Sequence, residues 1–156
     1  MTDLHEIDAI TRLKYRYMRC LDQKLWAELA DCFTEDATTS YGGGKYAFSG
    51  RDAIMKFLVE AMGKPSFLSS HRVHHPEIDL TSPTTARGTW ALEDFVLDPE
   101  RRVIIQGAAF YRDEYVKQDG RWRIRSTGYQ RTFEFVESLA ERPSLRVTAG
   151  YSPANA

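Results

Sequence analysis

A chain of 156 residues, 42% hydrophobic and 28% charged, is long enough to bury one core without staples and is ordinary in composition for a globular domain. Its net charge is −1 with acids and bases interleaved, which leaves no basic stripe for nucleic acid and no patch for an anionic membrane. No apolar run reaches bilayer-spanning length, and the start, Met1-Thr-Asp-Leu-His-Glu, has neither the basic nor the apolar region of a secretory signal.

Leu4, Ile7, Ile10, Leu13, Tyr17, Met18 and Leu21 recur at helical intervals, with Asp3, Glu6, Arg12, Arg16 and Arg19 mostly on other faces. This predicts an amphipathic helix. A second helical run spans Leu25 to Phe33, with Asp22 in the hinge placed to cap it. Cys20 and Cys32 fall within these apolar patterns, where free cysteine acts as a small hydrophobe. Two thiols suit a reducing compartment, so a cytoplasmic location is expected and a disulfide is not, although the count allows one.

Thr34-Glu-Asp-Ala reads as a helix exit, Thr38 to Tyr41 as a short strand, Gly42-Gly43-Gly44 as a loop and Tyr46 to Ser49 as a returning strand. Gly50 to Met62 reads as a third helix with Ile54, Phe57, Leu58 and Ala61 on one face. Beyond Phe67 come four long strand-like runs, roughly 69–80, 84–97, 102–117 and 121–136. Ser82-Pro83, Asp98-Pro99-Glu100 and Asp119-Gly120 separate them, the last being the strongest hairpin signal present. Strands after helices predict an α+β fold, with the helices packed on one side of a curved, mostly antiparallel sheet. The expected division is one domain over 1–136 and a tail over 137–156, either disordered or a flap.

Three of the four histidines lie within residues 69–79. Strand parity puts His71, Val73 and His75 on one face and His74 on the other, so the three do not converge by themselves as a metal site would, and such a site would need Asp22 and Asp94 to join His71 and His75. Asp94 follows Trp90 and Leu92 in inward parity, where a carboxyl must be paired or protonated; a bulge would hand that place to Glu93. Arg125 and Arg131 have the opposite parity to Trp122 and Ile124, so neither faces that layer unless the strand is bulged. Tyr17, on the apolar face of the first helix, is either core or a phenol that polarises a substrate carbonyl. Trp26, Phe48, Phe57, Phe67, Phe110 and Tyr111 read as core or pocket wall.

The order of elements carries a resemblance. Tyr15-Arg-Tyr-Met-Arg-Cys-Leu-Asp, Trp26, Phe33-Thr-Glu-Asp-Ala, Gly50-Arg-Asp-Ala-Ile, His71-Arg-Val-His-His-Pro-Glu-Ile, Phe110-Tyr-Arg-Asp-Glu-Tyr-Val and Asp119-Gly-Arg-Trp-Arg-Ile together resemble the SnoaL-like branch of the nuclear transport factor 2-like superfamily. The pattern is most similar to bile-acid 7α-dehydratase and scytalone dehydratase. That resemblance implies a cone-shaped barrel and an Asp–His pair, the Asp at the end of the first helix and the His on the first long strand, which fall here on Asp22 and His71. It further implies roles for Tyr17, Asp94 and a late-strand arginine, with Arg131 favoured over Arg125.

The implied function is a cofactor-free, metal-free lyase of the dehydratase kind. Its substrate would be a hydrophobic, cyclic, carbonyl-bearing small molecule such as a steroid or polyketide-like compound. A ketosteroid-type isomerase, a polyketide cyclase or a non-catalytic small-molecule binder would use the same pocket. Self-association through the open face of the sheet, as a trimer or dimer, is also expected.

Overall fold

The computed structural model describes residues 3–150. These form helices α1 (Leu4–Asp22), α2 (Trp26–Asp31) and α3 (Arg51–Met62), with strands β1 (Phe33–Tyr41), β2 (Tyr46–Ser49), β3 (Leu68–Ser82), β4 (Thr85–Asp98), β5 (Val103–Gln118) and β6 (Arg121–Ser138). All six strands make one open sheet in the order β2-β1-β6-β5-β4-β3. Every pairing is antiparallel except β1 with β6. The helices cover one face of this curved sheet, giving the expected α+β cone. None of the described helices is long and apolar enough to cross a membrane.

α1 starts where the Asp3 carboxylate accepts from the His5 and Glu6 N–H groups, and it buries Ile10, Leu13, Tyr17, Met18, Cys20 and Leu21. These side chains meet Trp90, Leu92, Tyr111, Tyr115, Trp122 and Ile124 from the sheet to form the core. Asp119 and Gly120 both take positive φ, 50° and 75°, as the two-residue hairpin between β5 and β6 requires. Cys20 and Cys32 are buried and unpaired.

Three expectations need correction. Residues 34–37 are strand, because β1 begins at Phe33 and pairs with Ile124 of β6. α2 is correspondingly shorter than its apolar run. Leu25 occupies its N-cap with no side-chain hydrogen bond, so Asp22 does not cap it. The third concerns Phe110, which is not a wall residue: it is 50% exposed on the sheet face turned away from the helices.

β6 runs two residues past the expected domain end, and a single 3-10 turn, Leu139–Glu141, follows it. Residues 142–150 carry no helix or strand; the part of the expected tail over 151–156 lies outside the described residues.

Candidate active site

α1 ends at Asp22 because Lys24 turns left-handed (φ 55°) and the Leu25 N–H returns to the Cys20 carbonyl at 2.9 Å. The buried Lys24 ammonium donates to the Phe67 carbonyl at 2.8 Å, tying this turn to the chain just before β3. Asp22 is thereby held against the start of β3. Its Oδ1 accepts from Ser69 Oγ at 2.8 Å and from His71 Nδ1 at 2.6 Å, and its Oδ2 accepts from the His71 backbone N–H at 2.8 Å.

An ionised carboxylate can only accept, so the Nδ1 of His71 carries a proton, and Nε2 is the nitrogen left for exchange with a substrate. Burial works to raise the Asp22 carboxyl, but the hydrogen bonds and charge of His71, with the Ser69 hydroxyl, outweigh it and hold the group below its ordinary value of 3.8. A carboxyl lowered on folding stabilises the protein above its ordinary range, and that stability is lost as pH falls through the folded value. Acid titrations of stability should show it: below about pH 4, Asp22→Asn should lose less unfolding free energy than the wild type. Parallel acid profiles for the two proteins would refute this.

His71 lines a hollow of about 130 Å³. Leu21, Leu58, Ala61 and Met62 supply its aliphatic surface, and Tyr17, Tyr41, Tyr46, Phe57, Tyr111 and Tyr129 its aromatic surface. The Phe57 ring stacks on Phe48, Tyr46 and Tyr41, while Tyr129 packs against both Tyr41 and Tyr111. At the buried end, the Tyr17 and Tyr41 hydroxyls are 2.9 Å apart. Burial pushes both phenols well above their ordinary range, so both remain protonated. One hydroxyl donates to the other, so one O–H of the pair is not used between them, and the Tyr111 hydroxyl lies beside Tyr17 as well.

Asp94 faces inward, 4% exposed, directly across the ladder from His71. Arg131 grips it with two parallel hydrogen bonds, Nη1 to Oδ1 and Nη2 to Oδ2, the latter at 2.8 Å. The strand is in fact bulged. The register shifts where Ser126 opposes Glu114 but Ile124 opposes Tyr115, so Arg125 is the extra residue and turns outward. Inward parity then passes from Trp122 and Ile124 to Thr127, Tyr129 and Arg131. Gly107 makes room for the guanidinium: a Cβ there would sit 2.9 Å from Arg131 Nη1. Replacing Arg131 with Met strands a buried carboxylate and should cost about 3–5 kcal/mol of unfolding free energy. A urea melt within about 1 kcal/mol of wild type would show that Asp94 has another way to be satisfied.

Of the residues expected in the site, Tyr17 and His71 line the hollow, with Asp22 bonded to His71 from behind. Asp94 and Arg131 pair alongside it, with Glu134 on Arg131 Nε at 3.0 Å, and do not line it. His75 does not share the His71 face. It takes φ 48° at a bulge before Pro76 on the edge strand, and it is exposed, as His74 is. Sequence reasoning missed Ser69, Tyr41 and Tyr129. Tyr41 ends a run of alternating burial along β1, a signal obscured when residues 34–37 are read as helix exit.

A family model described as a SnoaL-like domain matches residues 2–128. Among solved structures, a Novosphingobium aromaticivorans protein provisionally named a scytalone dehydratase is 28% identical, with a TM-score of 0.78, covering 98% of this chain and 96% of that one. Hexachlorocyclohexane dehydrochlorinase LinA-type3 from Novosphingobium barchaimii is 16% identical, with a TM-score of 0.78, covering 94% and 96%. A Mycobacterium tuberculosis protein of unknown function is 24% identical, with a TM-score of 0.70, covering 92% and 79%. The last two likenesses speak to the fold alone.

Proposed function

This chain belongs to the SnoaL-like domain family, and from that premise we propose that it is a cofactor-free lyase that dehydrates a small, apolar, cyclic carbonyl compound. The observation that carries the reading is the 2.6 Å contact between Asp22 and His71, with the imidazole lining a largely aromatic hollow.

In this mechanism the substrate carbonyl accepts the free O–H of the Tyr17–Tyr41 pair, which stabilises negative charge as it develops on the oxygen. His71 Nε2 removes the proton activated by that carbonyl, and Asp22 stabilises the resulting imidazolium. The imidazolium then returns the proton to the departing hydroxyl. The carbon–oxygen bond breaks, water leaves and a carbon–carbon double bond forms. Asp94 has both oxygens committed to Arg131, so the acid in this scheme is His71 itself. We assign the Asp94–Arg131 pair to fixing the strand opposite His71.

A hollow of about 130 Å³ favours one ring over a fused steroid, since enclosing a drug-sized ligand takes ~300–1,000 Å³. The test is product mass after incubation with monocyclic β-hydroxyketones. Loss of water supports dehydration, an unchanged mass with a moved double bond supports the isomerase alternative, and no conversion of any candidate sinks the enzyme reading. The two unpaired thiols fit a reducing compartment such as the cytoplasm.

The same reading includes a homo-oligomer formed through the uncovered face of the sheet. Phe110, Phe133 and Phe135 stand 50–57% exposed, and their register places them on that face. Phe133→Glu should lower the sedimentation mass towards that of one chain. A wild type that already sediments as a monomer would end the oligomer proposal.

A further inference from the structure

Behind the hollow lies a buried charge that the dyad chemistry does not use. Lys14, on the apolar stripe of α1, is fully buried, and its Nζ lies 2.7 Å from Oδ2 of the equally buried Asp113 side chain. Asp113 also accepts from the Tyr115 hydroxyl on Oδ2 and from the Thr127 hydroxyl on Oδ1, each at 2.6 Å. Trp90 Nε1 in turn donates to the Tyr115 oxygen at 2.9 Å. The Lys14 ammonium sits 3.5 Å from the centre of the Tyr111 ring and 4.9 Å from that of Tyr17. Both rings line the hollow.

The pair has a direction. The inward residues of β5 run Tyr111, Asp113, Tyr115, and of these only Tyr111 borders the hollow. The positive end therefore abuts the aromatic wall. The negative end lies one inward position further off and is covered by two hydroxyl donors. Stability does not account for it, because a buried ion pair is commonly neutral or worse against well-packed apolar residues of the same volume. Buried charges with strongly altered surroundings cluster at functional clefts.

We propose that Lys14 is a positioning residue for the hollow: its ammonium, fixed by Asp113 against the Tyr111 and Tyr17 rings, strengthens the Tyr17–Tyr41 hydroxyl pair as a donor to a bound carbonyl oxygen. A phenol that donates a hydrogen bond gathers negative charge on its oxygen and ring, and a cation on the ring face stabilises that charge in a dry setting. The groups facing Tyr17 are Lys14 on its own helix, Tyr41 from β1, His71 from β3, and Tyr111 with Asp113 from β5. The inference rests on the reading of the hollow as a carbonyl site.

The experiment is infrared spectroscopy of carbonyl-labelled 2-cyclohexenone bound to the full-length protein, which reports donor strength without turnover. In the wild type the bound carbonyl stretch should fall below its value in an apolar solvent, and Tyr17→Phe/Tyr41→Phe, which removes both hydroxyls, should abolish most of that fall. Lys14→Met strands Asp113 and risks misfolding, so Lys14→Met/Asp113→Asn is the decisive variant, because it keeps volume and leaves no lone charge. In that variant the stretch should move back towards the apolar-solvent value, and kcat on any substrate found should drop about tenfold with KM unchanged. An identical stretch in wild type and double variant overturns the role of Lys14, whatever the activity. A stretch that responds as expected in a protein with no His71-dependent turnover leaves Lys14 standing and removes the lyase reading instead. A wild-type stretch at the apolar-solvent value, or no binding of the probe, overturns the inference outright.

Discussion

His71→Ala should lower kcat/KM by about 10³-fold or more while leaving the protein folded, because the base that removes the substrate proton also delivers it to the leaving group. Its ring is only 10% exposed and its Nδ1 is committed to Asp22, so Nε2 is the free nitrogen facing the hollow. No other imidazole is placed to substitute, since His5 near the start of α1 and His74 and His75 on β3 are all exposed. The folding cost should be modest: the backbone N–H of residue 71 still reaches Asp22 Oδ2, and Ser69 still reaches Oδ1. The check is steady-state kinetics on the substrate identified by water loss, with circular dichroism as the folding control. Partial recovery with added imidazole would tie the loss to the missing ring. Wild-type turnover in this variant would end the proposed mechanism.

Asp22→Asn should cost about 10²-fold or more in kcat by a different route. Asp22 accepts three hydrogen bonds and donates none. An asparagine offers one acceptor and one NH₂, so at least one of those donors is left facing another donor, at about 1–3 kcal/mol of stability. If the NH₂ turns towards the imidazole, it donates to Nδ1 and drives the ring proton onto Nε2, blocking the base. The signature is a fall in kcat with little change in KM, together with a change in the ¹⁵N spectrum of His71 that reports the other tautomer. An unchanged tautomer with full activity would show that the carboxylate serves packing only.

Much of this protein was legible without coordinates, and the reasons are local. The apolar spacing of Ile10, Leu13, Tyr17, Met18 and Leu21 can be satisfied only by a helix buried on one side. Asp119-Gly120 specifies a two-residue hairpin because both residues must take positive φ. Alternation along Trp90, Leu92 and Asp94 requires that the acid be paired or protonated, and the structure pairs it with Arg131. Lys14 carries a comparable signal: a lysine on the apolar stripe of a helix calls for a buried anion, which is Asp113.

Local sequence was enough to specify the set of elements, the buried side of α1 and of β4, and that an inward Asp94 had to be paired or protonated. Periodicity and turn chemistry act over a few residues, so a single chain segment carries them. Which groups meet depends on the assembled fold. A bulge at Arg125 reversed the parity of β6 and turned Arg131 inward, and another before Pro76 turned His75 out. The left-handed turn at Lys24 and its bond to the Phe67 carbonyl aimed Asp22 at Ser69 and His71. One inserted residue or one φ angle flips every side chain beyond it, and neither leaves a periodic trace in the sequence.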